Sequence, residues 1–283
     1  MRAPREGRPG SRAAAVGLAL AIACAGTTAA IGLHQAAAEE AQPAPDSAGR
    51  LLPDLVQILP GRLDVFTRGS GRRRRTLLAF GAAAENFGAG PLIVKGSRPS
   101  RSSPTMAATQ VVMRSDGSKL SVPNVGTLRY VSGGGHSHWH LRGFMRFELR
   151  TPAGEPLGRR DRKTGFCLGD RYPLRHAELP ARAPRAVYTS RCGLRATGRL
   201  RLVQGISVGY GDDYDPYLEG QSLSLRGLPS GRYVLVHRVN PGRRLRESSY
   251  GNNAASVLLE LSRQAGAPRV RVLRRCRSAS RCG

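Results

Sequence analysis

Three imidazoles fall on alternate positions of the stretch HSHWH: His136, His138 and His140. The chain has six histidines, so half of them occupy five residues, directly after Gly133–Gly135 and around its one tryptophan, Trp139. On a strand, side chains at i, i+2 and i+4 share one face, about 6.6–7 Å apart along the backbone. The three rings are therefore expected to project together, with Trp139 pointing the opposite way into a core. Imidazole suits copper, zinc, nickel and iron, and three of them leave a position for water or substrate. The spacing specifies a metal without specifying which; three structural or exposed histidines are the alternative. A zinc hydrolase of the HxHxDH kind is disfavoured, because no aspartate follows where that motif needs one.

Such a triplet needs strands to hold it, and the sequence supplies them. From Leu51 onward, short apolar runs such as TLLAF, PLIVK, TQVVM, FMRFEL, RYVLVHRV, ASVLLEL and RVRVL alternate with turn signals. In MRFELR and RVRV every second residue is apolar, the pattern of a strand half buried against a core. No helical periodicity extends beyond about ten residues. With 35 glycines and 19 prolines punctuating the runs, the expected fold is all-β, an antiparallel β-sandwich with long functional loops. The interval from Arg150 to Arg199 carries little regular pattern, and a loop of that length in a compact domain is usually functional.

Arg2, Arg5, Arg8 and Arg12 precede an uncharged stretch from Ala13 to Leu33, followed by small residues near Ala36–Ala38. This is the order of a secretory signal, so residues 1–38 are expected to be a signal peptide. The uncharged run is also long enough to be an uncleaved membrane anchor at 13–33. Residues 39–50 read as a linker, 51–263 as the main domain, and 264–283 as a basic C-terminal tail. Beyond residue 38 there remain 41 basic and 18 acidic side chains, a net charge of +23. Such a field favours an anionic cell-envelope surface, and nucleic acid is the least expected polyanion for an exported chain. Four cysteines follow the leader, an even number suited to an oxidising compartment. Cys167–Cys192 would close the irregular interval, and Cys276–Cys282 would staple a C-terminal hairpin.

The histidine triplet is followed in order by RKTGFCLGD, QGISVGYGDDYDPY and VNPGRRLRESSYGNN, with LPDLV upstream. This ordered set resembles the lysyl oxidase family, copper amine oxidases that carry a self-made quinone. The resemblance runs from Leu52 to Leu261 and is densest from Gly135 onward. It implies that residues 51–263 are the catalytic domain and that His136, His138 and His140 bind copper(II). It places Lys163 and Tyr214 on the pair that becomes cross-linked as lysine tyrosylquinone, and Asp212 on the catalytic base. Asp213 stands where the family carries a small polar residue, which leaves the choice between the two aspartates open.

The implied chemistry is oxidative deamination. A primary amine condenses with the quinone, a base removes the α-proton, and hydrolysis releases an aldehyde. Dioxygen then reoxidises the cofactor, giving hydrogen peroxide and ammonia. The substrate class is a primary amine or a lysine-bearing protein; an acidic setting for that lysine suits the charge of the chain. The alternative function is a non-catalytic copper-binding envelope protein. Read without the resemblance, Lys163 is a solvated lysine in a basic run and Tyr214 a turn residue. His237 is expected to be a hydrogen-bonded core histidine and His176 a solvent-facing one. Glu247, Tyr250, Asn252 and Asn253 read as architectural, with side chains that bond backbone.

Overall fold

The computed structural model describes residues 44–133, 136–161, 163, 165–174, 185–265 and 267–283, with His136 and Arg160 described by backbone alone. These residues contain three antiparallel sheets, one 3-10 turn at Gly71–Arg73 and no α-helix. The all-β sandwich expected from the alternating runs is the architecture observed.

One sheet orders Arg201–Ile206, Leu92–Ser97, Thr105–Arg114, Lys119–Gly133 and His136–Leu141, which places the histidine strand at its edge. A second orders Pro156–Arg160, Met145–Arg150, Gly231–Val239, Ala254–Gln264 and Ala267–Cys276. The third is organised around Arg75–Asn86, paired on both edges: Ala79 faces Asp64 and Ser222, and Ala84 faces Gln57 and Asp212. A strand buried on both faces reads as a near-continuous apolar run, and LLAFGAAA is buried almost throughout. The core between the sheets holds Phe80, Phe147, Phe166 and Trp139, each essentially inaccessible. Full burial of such a side chain stabilises by about 2–3 kcal/mol.

The closing motif is architectural, as its residue types suggest. Glu247 accepts hydrogen bonds from Leu55 N at 2.9 Å, Asn253 Nδ2 at 2.9 Å and Asn240 Nδ2. Asn252 Nδ2 donates to Asp54 Oδ1 at 2.9 Å, and the Tyr250 hydroxyl to the Leu245 carbonyl at 3.1 Å. The motif thus ties the LPDLV segment to the loop before the Ala254–Gln264 strand.

Two expectations are corrected. Residues 264–283 are not a tail: Ala267–Cys276 pairs with Ala254–Gln264 from Gln264↔Ala267 to Ser256↔Cys276. The following turn, closed by the Cys276–Cys282 disulfide, folds back so that Ser256 Oγ donates to the Ala279 carbonyl at 2.8 Å. Cys282 packs there with Val234, Val236 and Leu258 in a second small cluster. His237 is a core histidine but not a hydrogen-bonded one. Its ring centroid lies 4.7 Å from that of Phe80 and 4.4 Å from that of Phe147, and among the described residues neither nitrogen has a hydrogen-bond partner. Burial pushes its pKa down to about 3, so it is held neutral. His176 and the 13–33 segment lie outside the described residues.

Candidate active site

The histidine strand is registered against Lys119–Gly133, with Gly133↔His136, Val131↔His138 and Arg129↔His140. Gly133, at φ +104°, turns the chain into it. Its free edge is taken by the irregular interval. Trp139 N donates to the Cys192 carbonyl at 2.9 Å, and Leu141 and Phe166 exchange backbone bonds of 2.8 and 3.0 Å. Trp139 points into the core and is wholly buried, with Nε1 donating to the Ala196 carbonyl at 3.0 Å. On the opposite face His138 and His140 stand side by side, ring centroids 4.7 Å apart. The side chain of His136 lies outside the described residues. Among the described residues no three His, Cys, Asp or Glu side chains converge as a metal site.

The segment after Lys163 packs directly on this strand because residue 165 is glycine. Gly165 has φ +142°, and a Cβ there would lie 2.8 Å from both His140 Cβ and the Leu141 carbonyl oxygen. Two residues on, Cys167 is bonded to Cys192. One short segment therefore touches the histidine strand through Phe166 and, through the Cys167 carbonyl, the hydroxyl of Tyr214 at 3.0 Å.

Tyr214 ends the Tyr210–Tyr214 strand, where Asp212 and Tyr214 share one face and Asp213 takes the other. Their partners across the sheet are Ala84 and Ala82, small enough to leave room for both side chains. The Tyr214 ring meets Phe166 edge-on at 5.0 Å, and its hydroxyl lies 2.7 Å from Asp212 Oδ2. The phenol has one proton for two acceptors, Asp212 and the Cys167 carbonyl. A protonated Asp212 satisfies all three groups, by donating to the phenol while the phenol donates to Cys167.

The electrostatics agree. Asp212 is fully buried, and burial pushes its pKa up to about 7 against the pull of the Tyr214 hydroxyl and Arg171. Its Oδ1 makes no hydrogen bond and lies 3.4 Å from Arg171 Nε, an ion pair whose geometry falls short of one. Burial, and then the Asp212 charge, hold the Tyr214 phenol well above its ordinary value. Asp213 is exposed and lies 3.9 Å from Arg62. Of the two aspartates, Asp212 is the one that touches Tyr214.

Lys163 reaches the same place from the other side. Its Nζ is 4.9 Å from the centroid of the Tyr214 ring and 5.2 Å from that of Phe166, and it donates to the Glu219 carbonyl at 3.3 Å. Burial lowers its pKa to about 8, with the carboxylates of Asp161, Asp212 and Glu219 opposing. Its backbone is fixed twice: Asp161 Oδ1 accepts from Lys163 N at 3.0 Å, and Gly220 presses against it. Gly220 has φ +75°, and a Cβ on it would lie 2.4 Å from Lys163 Cα.

Lys163 is thus brought to Asp212 and Tyr214 from 49 and 51 residues away, and the histidine strand is joined to them through residues 165–167. Sequence reasoning passed over Asp161, Asp170, Arg171 and Gly220. Asp170 takes Val187 N, Tyr188 N, Ser207 N and Ser207 Oγ, all at 2.7–3.0 Å, and so fastens the loop beyond FCLGD. Its signal was its place inside that motif. Arg171 is one arginine in an arginine-rich chain, and nothing in its neighbours marks it.

Comparison with known proteins identifies a family. A search of curated proteins returns no match to the chain. The lysyl oxidase family model matches residues 109–267, more than half of the chain and the whole of the cluster just described. The protein belongs to the lysyl oxidase family, a family of amine oxidases.

Proposed function

We propose that the protein is a copper- and quinone-dependent amine oxidase that converts primary amines, peptidyl lysine or small amines, to aldehydes with release of ammonia and hydrogen peroxide. The observation that carries this reading is the approach of the Lys163 amine to within 4.9 Å of the Tyr214 ring centroid, beside a buried carboxylate. The residues fit both groups the reading requires. His138 and His140 offer adjacent imidazole nitrogens, with His136 next in register on the same strand, a donor set of the kind copper(II) takes. Lys163 and Tyr214 are the amine and phenol from which lysine tyrosylquinone is made.

With copper and the quinone in place, the centre supplies an electrophilic carbonyl for a primary amine and an acceptor for two electrons that dioxygen then removes. The rest is the work of the chain. Burial keeps a sizeable fraction of Lys163 neutral near pH 8, the form in which an amine is a nucleophile. Gly220 and Asp161 aim it by holding its backbone. Phe166 covers one side of Tyr214 and keeps water from it. Asp212 is ionised above about pH 7, and its Oδ2 is placed to take the α-proton of a substrate amine held at Tyr214. A base of that strength is matched to operation near neutrality. The two disulfides suit an oxidising compartment, and we assign the protein to the cell exterior, exported by residues 1–38.

The test is peptide mass spectrometry on copper-loaded, aerated protein. The expected result is a Lys163–Tyr214 linked peptide, with peroxide release on addition of a primary amine and neither signal in Tyr214→Phe. Separate, unmodified peptides carrying Lys163 and Tyr214 would overturn the cofactor, and with it the activity.

A further inference from the structure

A cleft of about 290 Å³ opens between the turn that follows the histidine strand and the Asn240–Leu245 turn. Arg142, Arg146 and Arg244 line it, with Leu141, Asn240 and Asp161. All three arginines are exposed, and among the described residues none of their guanidinium groups makes an ion pair or hydrogen bond. Four acidic side chains are paired with other arginines: Glu148 with Arg150, Asp212 with Arg171, Asp215 with Arg62 and Glu260 with Arg271. Across the sheet from Arg146, Arg238 is held below the usual guanidinium range by burial first, with Glu148 opposing and Arg150, Arg146 and Arg243 adding to it. Positive charge in a concave site focuses the field far more than the same charge on a convex surface.

Asp161 offsets one of the three charges and leaves the lining net positive. Its Oδ2 accepts from Phe147 N at 2.8 Å and its Oδ1 from Lys163 N at 3.0 Å, so both oxygens are turned to backbone. The same two bonds fix where the cleft leads, since its Asp161 end adjoins the residue that approaches Tyr214. Asp161 links the lining to the site, since it holds the backbone of Lys163, whose Nζ lies 4.9 Å from the Tyr214 ring centroid.

We propose that this cleft is an anion site that takes the carboxylates of an acidic peptide segment carrying the target lysine. The inference rests on the amine-oxidase reading and names its substrate class. Guanidinium groups recognise carboxylates in two-point fashion, which a point-charge lysine does not. A net charge of +23 beyond residue 38 repels a cationic polymer, so a lysine presented to this surface needs anionic neighbours.

Two measurements on the full chain test the assignment. Fluorescence anisotropy compares a labelled peptide with lysine between glutamates against its glutamine counterpart, on three proteins. These are the wild type, Arg146→Gln/Arg244→Gln, and Arg269→Gln/Arg275→Gln, which removes the same charge from the far edge strand of that sheet. The wild type is expected to prefer the acidic peptide about tenfold or more, as one to two charge-assisted contacts imply. The cleft variant is expected to bring the ratio near one, and the far-edge variant to preserve it. Equal affinity in the wild type, or an equal fall in both variants, would overturn the cleft. So would displacement of the acidic peptide by millimolar inorganic phosphate, which would mark a small-anion site. The second measurement is peroxide release from the same peptides, read as the ratio of kcat/KM. Selective binding without turnover of any amine would leave the cleft standing and remove the oxidase reading. Turnover without discrimination would do the reverse.

Discussion

Two buried carboxylates in this molecule have been pushed by burial to the same acidity, about 7 for both Asp212 and Glu247. They are otherwise opposites. Glu247 is met by three donors, Leu55 N, Asn240 Nδ2 and Asn253 Nδ2, and joins segments 192 residues apart. Asp212 has one oxygen on a phenol and the other without a hydrogen bond. A fully engaged carboxylate is a structural tie, because every movement of it costs a bond. One left half-satisfied, beside an amine and a phenol, is free to exchange a proton. A perturbed acidity alone does not separate architecture from chemistry; the count of partners does.

The comparison predicts opposite phenotypes. Asp212→Asn keeps an acceptor for Tyr214 and removes a buried charge, so thermal stability at pH 8 should hold or rise. Amine turnover, followed by peroxide release, should fall about a thousandfold, the range of a lost general base. Glu247→Ala leaves three donors without their acceptor and should cost about 3 kcal/mol in denaturant unfolding, with turnover per folded molecule retained. A variant of Glu247 that folds normally but does not turn over amine would break the distinction. In stability against pH the two carboxylates act alike. Each keeps its proton in the native state where the unfolded chain has lost it. Their contribution is therefore fully present below about pH 4 and is lost as pH rises through about 7. The pH profile of stability therefore does not tell them apart, whereas the two substitutions and the activity do.

A smaller effect is expected where backbone, not charge, positions the site. Gly220→Ala forces a left-handed φ of +75° on an alanine whose Cβ would lie 2.4 Å from Lys163 Cα. Either the Glu219–Gly220 turn or Lys163 must move. The yield of the Lys163–Tyr214 linked peptide should fall severalfold, with about 1–2 kcal/mol lost in stability. An unchanged yield would show that Lys163 finds Tyr214 without the clamp.

These examples mark what was legible in the chain. The shared face of His138 and His140, the direction of Trp139, the β-sandwich and both disulfides follow from local alternation and from cysteine count, and the structure has them; the His136 side chain lies outside the described residues. Lys163 and Tyr214 stood out only through the family resemblance of RKTGFCLGD and GDDYD, and the structure sets the two side chains beside each other. Gly220, Asp161 and Arg171 were not legible, since their roles exist only where two distant segments touch. The Ala267–Cys276 strand shows the same limit. Its RVRV alternation read as a strand run, yet residues 264–283 as a whole read as a basic tail with a disulfide hairpin, and only the pairing with Ala254–Gln264 reveals an edge strand. His237 fails in the other direction. Its apolar face predicted burial correctly, yet no pattern announces that both nitrogens go without partners.

The finest probe of the Asp212–Glu247 contrast is Arg171. Glu247 has no cation beside it, whereas Asp212 Oδ1 lies 3.4 Å from Arg171 Nε. The other groups acting on Asp212 are Tyr214, which lowers its pKa through a hydrogen bond, and Asp213, which raises it; Lys163 lies on the same side of the site. Removing the guanidinium takes away a stabiliser of the carboxylate, so the pKa must climb above about 7. In Arg171→Gln the acid limb of the kcat/KM profile should therefore move to higher pH, by about half a unit to one unit, since Arg171 is partly exposed and solvent screens it. At pH 9, where Asp212 is ionised in either protein, turnover should nearly recover. A purely structural role for Arg171, which also holds the Cys167 carbonyl at 3.3 Å, would lower activity evenly at every pH and leave the limb in place. A limb that moved downward would mean that the titrating group is not a carboxylate beside a cation, and Asp212 would lose its place as the base.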